Sequence, residues 1–280
     1  MDEKLIHRLE QKAKEIRQKM YQMLYASQSP GAHYGGSLSI TDILTVLYFH
    51  ILKIDPSNRH WEDRDRFILS KGHACAAFCT TLAVRGYFPE ELLKTFNQFQ
   101  SPFGVHPDMH KIPGCDMSAG SLGHGLPIGV GMALAGKLRN KTYRVYVAVG
   151  DGEMNEGSCW EALMAGAHYK LSNLCGILDR NKMNQDGPME EIMNTEPLDA
   201  KVASFGWEVI PCQGHDFQDL LAAFDQAAKV KDKPSMIIAA TRKGRGISFM
   251  ENTHTWHYGK PSDEQMKQIC QELEMVLEQP

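Results

Sequence analysis

The chain has 280 residues, 42% of them apolar and 23% charged, enough to bury a sizeable core without covalent staples. A formal net charge of −4 offers no basic field for a nucleic-acid partner, and no segment reaches the ~20 consecutive apolar residues of a membrane helix. The charged N-terminus MDEKLIHRLEQKAKEIRQKM lacks a signal-peptide core, and seven cysteines without a CxxC pair argue against a disulfide framework or structural zinc, so a reduced, cytoplasmic protein is expected.

Leu5, Leu9, Ile16, Met20, Met23 and Leu24 fall near helical spacing and predict an amphipathic helix over 5–24, docking on the body or on a partner. SITDILTVLYFHIL predicts a second helix over 39–52, with Ser39 as its candidate cap. RFILSKGHA reads as a short buried strand that ends in a glycine turn and enters a helix, in which Cys75 and Cys79 are core thiols. GSLGHGLPIGVGMALAGKLR is a loop feeding a closely packed helix, where glycines permit close backbone approach.

From there the pattern is regular. Strand YRVYVAVG, a helix over 159–169, strand LCGILD, a helix over 199–204, strand GWEVIPC, a helix over 216–228 and strand SMIIAAT follow in turn. A last helix is expected over 263–278, on the surface. Short connections between alternating strands and helices imply right-handed βαβ units, and the nearly unbroken apolar strands imply burial on both faces. The fold class is therefore α/β: a parallel β-sheet with helices on both faces, forming one domain over 1–280 with no repeat and no linker.

Ligands of open parallel sheets bind beyond the carboxyl ends of the strands. Asp151, between Gly150 and Gly152, ends one strand, and Asn181 ends the next. A carboxylate and an amide oxygen converging there make a hard, under-charged site suited to Mg²⁺, which takes its remaining ligands from water and phosphate oxygens. The flanking glycines would let backbone N–H groups approach an anion, and the following helix would add its positive end. Gly-Asp-Gly alone is a common tight turn. The pair, each member after a buried strand, is more specific and predicts a metal–diphosphate site.

GDG followed by a helix, a strand and DxN…DG resembles the thiamine diphosphate motif of transketolase-like enzymes. AHYGGSLSITDIL, LSKGHA, GSLGHGLPIGVGMALA and THTWHYGKP each resemble a block of the same family, in the family's order, and together span most of the chain. The resemblance covers only the diphosphate-binding half of that family; the pyrimidine-binding and C-terminal domains are expected on a separate chain.

The resemblance implies a role for each matched residue. Asp151 and Asn181 would ligate Mg²⁺ with the Met183 carbonyl, while Gly152 would touch the diphosphate, beside Gly150 and the Leu122–Gly123 turn. His73 would lie beside the diphosphate, and His257 between diphosphate and substrate. His33 and His106 would contact a ketose donor, and Glu156 would face the partner's carboxylates. Imidazoles suit proton transfers at sugar hydroxyls near neutrality. A single histidine is more often a surface or core residue; these four stand out because each sits in a glycine- or proline-marked family block, whereas His7, His50 and His60 do not. His254 competes with His257, but the residues after His257 match better.

Three departures stand beside this. His124 replaces a frequent glutamine, Gln185 replaces an aliphatic wall residue near the cofactor, and Ala32 precedes His33 where glycine is usual. No arginine cluster for a sugar phosphate is evident either. The implied activity is transfer of a two-carbon ketol unit from a ketose phosphate to an aldose, by a split transketolase active only as a heterotetramer with its partner. Two alternatives stay open: another thiamine diphosphate enzyme, of the 2-oxo acid dehydrogenase or synthase type, and a non-catalytic cofactor-binding scaffold.

Overall fold

A computed structural model describes residues 2–27 and 29–277. Its helices are α1 (Glu3–Ala26), α2 (Tyr34–Val46), α3 (Cys75–Arg85), α4 (Gly125–Leu138), α5 (Gly157–His168), the single turn α6 (Met189–Ile192), α7 (Leu198–Ser204), α8 (Phe217–Lys229) and α9 (Asp263–Glu272). Strands β1 (Arg66–Leu69), β2 (Val145–Gly150), β3 (Leu174–Arg180), β4 (Glu208–Gln213) and β5 (Ser235–Ala240) form one parallel sheet in the order β1–β2–β3–β5–β4. None of these helices is long and apolar enough to cross a membrane.

The apolar strands feed two cores, because successive side chains leave opposite faces of a sheet. Val145, Val147 and Val149 join Ile68, Leu174, Leu178, Met236 and Ile238 beneath α4, α5 and α7. Tyr146 and Ala148 join Phe67, Leu69, Cys175, Ile177, Ile237 and Ala239 beneath α2, α3 and α8, with α1 and α9 packed outside them. Burial on both faces is why these strands read as unbroken apolar runs.

Helix α1 buries Leu9, Ile16, Met20 and Leu24 in the chain's own core. Each such side chain contributes about 1.5–3 kcal/mol by leaving water. The end of α9 ties to α1, where Gln18 Nε2 donates to the Leu273 carbonyl at 2.8 Å. Chain entry into helices follows capping rules: Asp216 accepts from the backbone of Gln218 and Asp219 at the start of α8, and Ser262 forms a capping box with Gln265 at α9.

Two helix boundaries differ from the sequence expectation. The second helix begins at Tyr34, not Ser39, and its α-helical part ends at Val46, followed by a π-turn over Leu47–Ile51. Ser39 is no cap: it is fully buried mid-helix, its Oγ donating to Asp179 Oδ2 at 2.6 Å. Tyr-Gly-Gly-Ser is a poor helix start by propensity, but tertiary packing of Gly35 and Gly36 against neighbouring side chains prevails. The last helix stops at Glu272 because Glu274 turns to a positive φ of 51°; Met266 and Ile269 bury its inner face, and its expected end at 278 lies outside the described residues.

With all strands parallel, their carboxyl ends share one edge of the sheet. The segments leaving β1, β2, β3 and β5 there carry Lys71 and His73, Asp151, Asn181, and Lys243 respectively.

Candidate active site

Residues from these strand ends and from the loop before α2 enclose a cavity of about 400 Å³. Four histidines from separate segments meet in it. The ring centroid of His33 stands 5.4 Å from His73, 5.7 Å from His106 and 5.3 Å from His257, and His73 and His257 are 5.1 Å apart. His33 occupies the N-cap position of α2, and His73 the short 3-10 turn after β1. Gly36 makes room for His73: a Cβ there would lie 2.9 Å from the imidazole Nε2.

Burial, reinforced by neighbouring His106, lowers His33 to about 4. Burial and then the Lys243 charge lower His257 to about 3. His73 falls well below its ordinary value through burial and Lys71, and His106 falls through burial. All four rings are therefore neutral near pH 7. The Nδ1 of His33 is buried without a hydrogen-bond partner.

Opposite the histidines lies the GDG turn. Asp151 is 3% exposed, and its oxygens accept backbone N–H groups, from Gly152 at 2.9 Å and Lys182 at 2.6 Å. Asn181 Oδ1 accepts from Met183 N at 3.0 Å. Burial pushes the Asp151 carboxyl up to about 6, with the negative charge of Asp179 adding to the rise. A carboxylate held this way, with no ion pair to it among the described residues, beside an amide oxygen, matches the donor set of a hard divalent cation. Among the described residues, no group of three or more His, Cys, Asp or Glu side chains could hold a metal, so an ion here would also draw on amide and carbonyl oxygens.

The glycines act differently from the sequence expectation. The Gly152 N–H is taken by Asp151, and the Gly150 N–H donates to Glu153 Oε2 at 3.0 Å, so neither is free for an anion. Gly152 instead leaves room for the Asn184 side chain, whose Oδ1 would lie 2.1 Å from an added Cβ. The helix that follows GDG, α5, begins at Gly157, two residues before the expected Cys159, after a 3-10 turn over Gly152–Asn155.

Three buried groups frame the cavity. Lys71 pairs with Asp179, whose other oxygen accepts from Thr241 Oγ1. Burial opposes ionisation of Asp179, yet Lys71 and the hydroxyls hold its carboxyl below the ordinary range. Glu153 accepts from Ser70 Oγ and, at 2.8 Å, from Gly123 N, joining the turns after β1, β2 and before α4. Lys243, 2% exposed, donates to the Asn184 carbonyl at 2.6 Å and lies 3.0 Å from His257 Nδ1. Burial and the Lys71 charge lower its ammonium to about 8. Below that pH Lys243 is a donor, so His257 Nδ1 accepts and its ring proton sits on Nε2.

The predicted residues come together with one exception. His33, His73, His106, His257, Gly150, Asp151, Gly152, Glu156, Asn181, Met183, Leu122 and Gln185 all line the cavity. Gly123 stands behind it, its N–H held by Glu153 and its carbonyl by Ser158. His124 and His254 do not line it. Sequence reasoning missed Lys71, Glu153, Asn184 and Lys243. Lys243 was within reach, since it follows β5 as Asp151 follows β2.

Residues 10–280 match the family model for the transketolase thiamine diphosphate binding domain. The chain is 42% identical over 265 residues to one subunit of the apulose-4-phosphate transketolase of Actinobacillus succinogenes, covering 95% of each. It is 44% identical over 242 residues to a 6-deoxy-6-sulfo-D-fructose transketolase subunit from a Clostridium species, covering 86% of this chain and 88% of that one. The crystal structure of transketolase from Campylobacter jejuni superposes with a TM-score of 0.90 at 30% identity, covering 98% of this chain. This chain spans only 43% of that longer enzyme.

Proposed function

The chain belongs to the transketolase family as its thiamine diphosphate-binding domain, and from that premise we propose that it is the diphosphate-binding subunit of a two-chain transketolase. The reaction would pass a two-carbon ketol unit from a ketose phosphate to an aldose. The observation that carries this reading is the convergence of His33, His73, His106 and His257 on the cavity that also holds Asp151 and Asn181. Binding a diphosphate alone would not require four neutral imidazoles around one space.

Asp151, Asn181 and the Met183 carbonyl would hold Mg²⁺, which would supply positive charge for a diphosphate. The buried Asp151 carboxyl, whose value burial raises to about 6, supports this fit. Thiamine diphosphate, when bound, supplies the electron sink for cleaving a carbon–carbon bond beside a ketone. The chain's own residues would then orient the donor and move its protons. His257, held with its proton on Nε2, presents a fixed donor to the cavity. His33, which lines the cavity, would accept from or donate to a sugar hydroxyl according to its tautomer. A neutral imidazole can donate to or accept from a sugar hydroxyl near pH 7, and values of about 4 and 3 make His33 and His257 weak bases, suited first to orienting the donor. Lys243 adds positive charge beside the anion site.

No arginine lines the cavity among the described residues. The anionic end of the sugar would therefore be read by the partner chain, which would carry the pyrimidine-binding domain, and two copies of each chain would form a heterotetramer. The two subunit relatives are named for apulose 4-phosphate and for 6-deoxy-6-sulfo-D-fructose, so a ketose with a terminal anionic group is the substrate class we assign. Calorimetric titration of thiamine diphosphate with Mg²⁺ into the reconstituted pair tests the cofactor half of this reading. Saturable binding that Asp151→Ala abolishes is expected; equal binding by that variant would remove Asp151 from the site.

A further inference from the structure

Outside the cavity, four charged or polar groups form a line that starts buried at the first helix, passes through half-buried His215 and ends at the backbone of exposed Arg242, next to Lys243. Arg17 of α1 grips Asp42 of α2 through two bonds, of 2.8 and 2.9 Å. Asp42 Oδ2 lies 2.7 Å from His215 Nδ1, in the turn between β4 and α8. His215 Nε2 in turn meets the backbone N–H of Arg242 at 2.8 Å. A backbone amide can only donate, so Nε2 must be the unprotonated nitrogen and the ring proton must sit on Nδ1, facing the carboxylate. The line therefore has one direction: carboxylate, Nδ1–H, Nε2 acceptor, Arg242 N–H.

Arg242 is the residue before Lys243. On the other side of Lys243, the Gly244 N–H donates to the Gly35 carbonyl at 3.1 Å, beside the loop that bears His33. The lysine is thus fixed on both flanks, and its stem passes against Gly35, where a Cβ would meet Lys243 Cγ at 2.8 Å. From there its Nζ reaches Asn184 and His257. The turn bearing His215 is anchored independently, since Gly214 N donates to the Ala240 carbonyl at 2.8 Å. Losing the His215 acceptor would therefore remove the tie between its turn and the Arg242 backbone, while leaving in place the turn, the Arg17–Asp42 pair, the contact of Arg242 with Glu251 and the bond from Asn252 N to the Lys243 carbonyl.

We propose that His215 is a positioning residue which, through the Arg242 amide, holds Lys243 against His257 and so fixes the tautomer that His257 presents to the cavity. Its functional meaning rests on the reading of that cavity as the active site. The geometry itself does not, and it can be tested on the chain alone without cofactor or turnover.

Two amide substitutions separate the two ends of the His215 ring. The shorter side chain of His215→Asn can still donate to Asp42 but falls short of Arg242, whereas His215→Gln extends an oxygen toward the Arg242 N–H. With histidine labelled in ¹⁵N, wild type and His215→Gln are expected to show His257 as a single tautomer with Nδ1 accepting. His215→Asn is expected to lose that single state, and Lys243→Met to reproduce the loss with no further change in the double variant. In the two-chain enzyme, His215→Asn would lower kcat by ~10- to 100-fold, the scale of a modest misplacement of reacting groups, with His215→Gln restoring most of it. Identical His257 signals in the Asn and Gln variants would overturn the proposal. Unfolding on His215→Asn would also overturn it, by assigning His215 to the fold rather than to Lys243.

Discussion

Lys71 and Asp179 form an ion pair sealed beside the cavity, their side chains 2% and 0% exposed. Ser39 and Thr241 satisfy the carboxylate from α2 and from the exit of β5, so one buried charge ties together the segments that carry the site. Breaking such a pair leaves an uncompensated buried charge, which costs about 3–5 kcal/mol. Urea denaturation of Asp179→Asn is expected to show that loss. The double variant Lys71→Met, Asp179→Leu should recover part of it, because it leaves no orphaned charge; a single variant as stable as wild type would contradict the burial.

The four histidines make the fold acid-sensitive, against an opposing contribution from the single Asp151 carboxyl, raised to about 6. His33, His73, His106 and His257 all have folded-state values below the ordinary 6.5. As pH falls, the unfolded chain takes up these protons first, so it binds more protons than the folded chain between about 6.5 and about 4. The stability is therefore fully present above 6.5 and is lost as pH drops toward the folded values. The urea midpoint should fall from pH 7 to pH 5, and His257→Gln should flatten that slope. A midpoint unchanged over this interval would mean the rings are solvated.

Gly152→Ala tests the close approach of the two cavity loops. Its Cβ would lie 2.1 Å from the tip of the Asn184 side chain, so that side chain must swing aside, at a cost of about 0.5–1.5 kcal/mol if it leaves its preferred rotamer. Cofactor affinity in the assembled enzyme should fall with it, measured by the same calorimetric titration. Gly157→Ala, with nothing within 4 Å of the added atom, is the control and should leave both quantities unchanged.

Much of the architecture was legible because burial on both faces writes β2, β3 and β5 as unbroken apolar runs. Asp151 and Asn181 followed from one rule, that parallel strands present their carboxyl ends to ligands. The histidines were legible by resemblance to a family and by their glycine-marked loops, not by spacing, since they come from four distant segments. Other features left no local signal. The Lys71–Asp179 pair joins residues 108 positions apart, and the first turn of α2 reads as a loop because only tertiary packing makes Tyr-Gly-Gly-Ser helical. The use of the GDG amides by Asp151 and Glu153 depends on side-chain reach that a motif does not encode.

By this reading the chain supplies one part of a ketol-transferring active site and a second chain supplies the rest. The most direct measurement is two-carbon transfer to ribose 5-phosphate with thiamine diphosphate and Mg²⁺ present, by this chain alone and mixed with a chain bearing the pyrimidine-binding domain. Xylulose 5-phosphate, apulose 4-phosphate and 6-deoxy-6-sulfofructose would serve as donors. Transfer from at least one donor only in the mixture, abolished by Asp151→Ala and reduced at least ~100-fold by His257→Ala, is the predicted result. A cofactor-loaded mixture that transfers from none of them, or equal transfer by this chain alone, would contradict it.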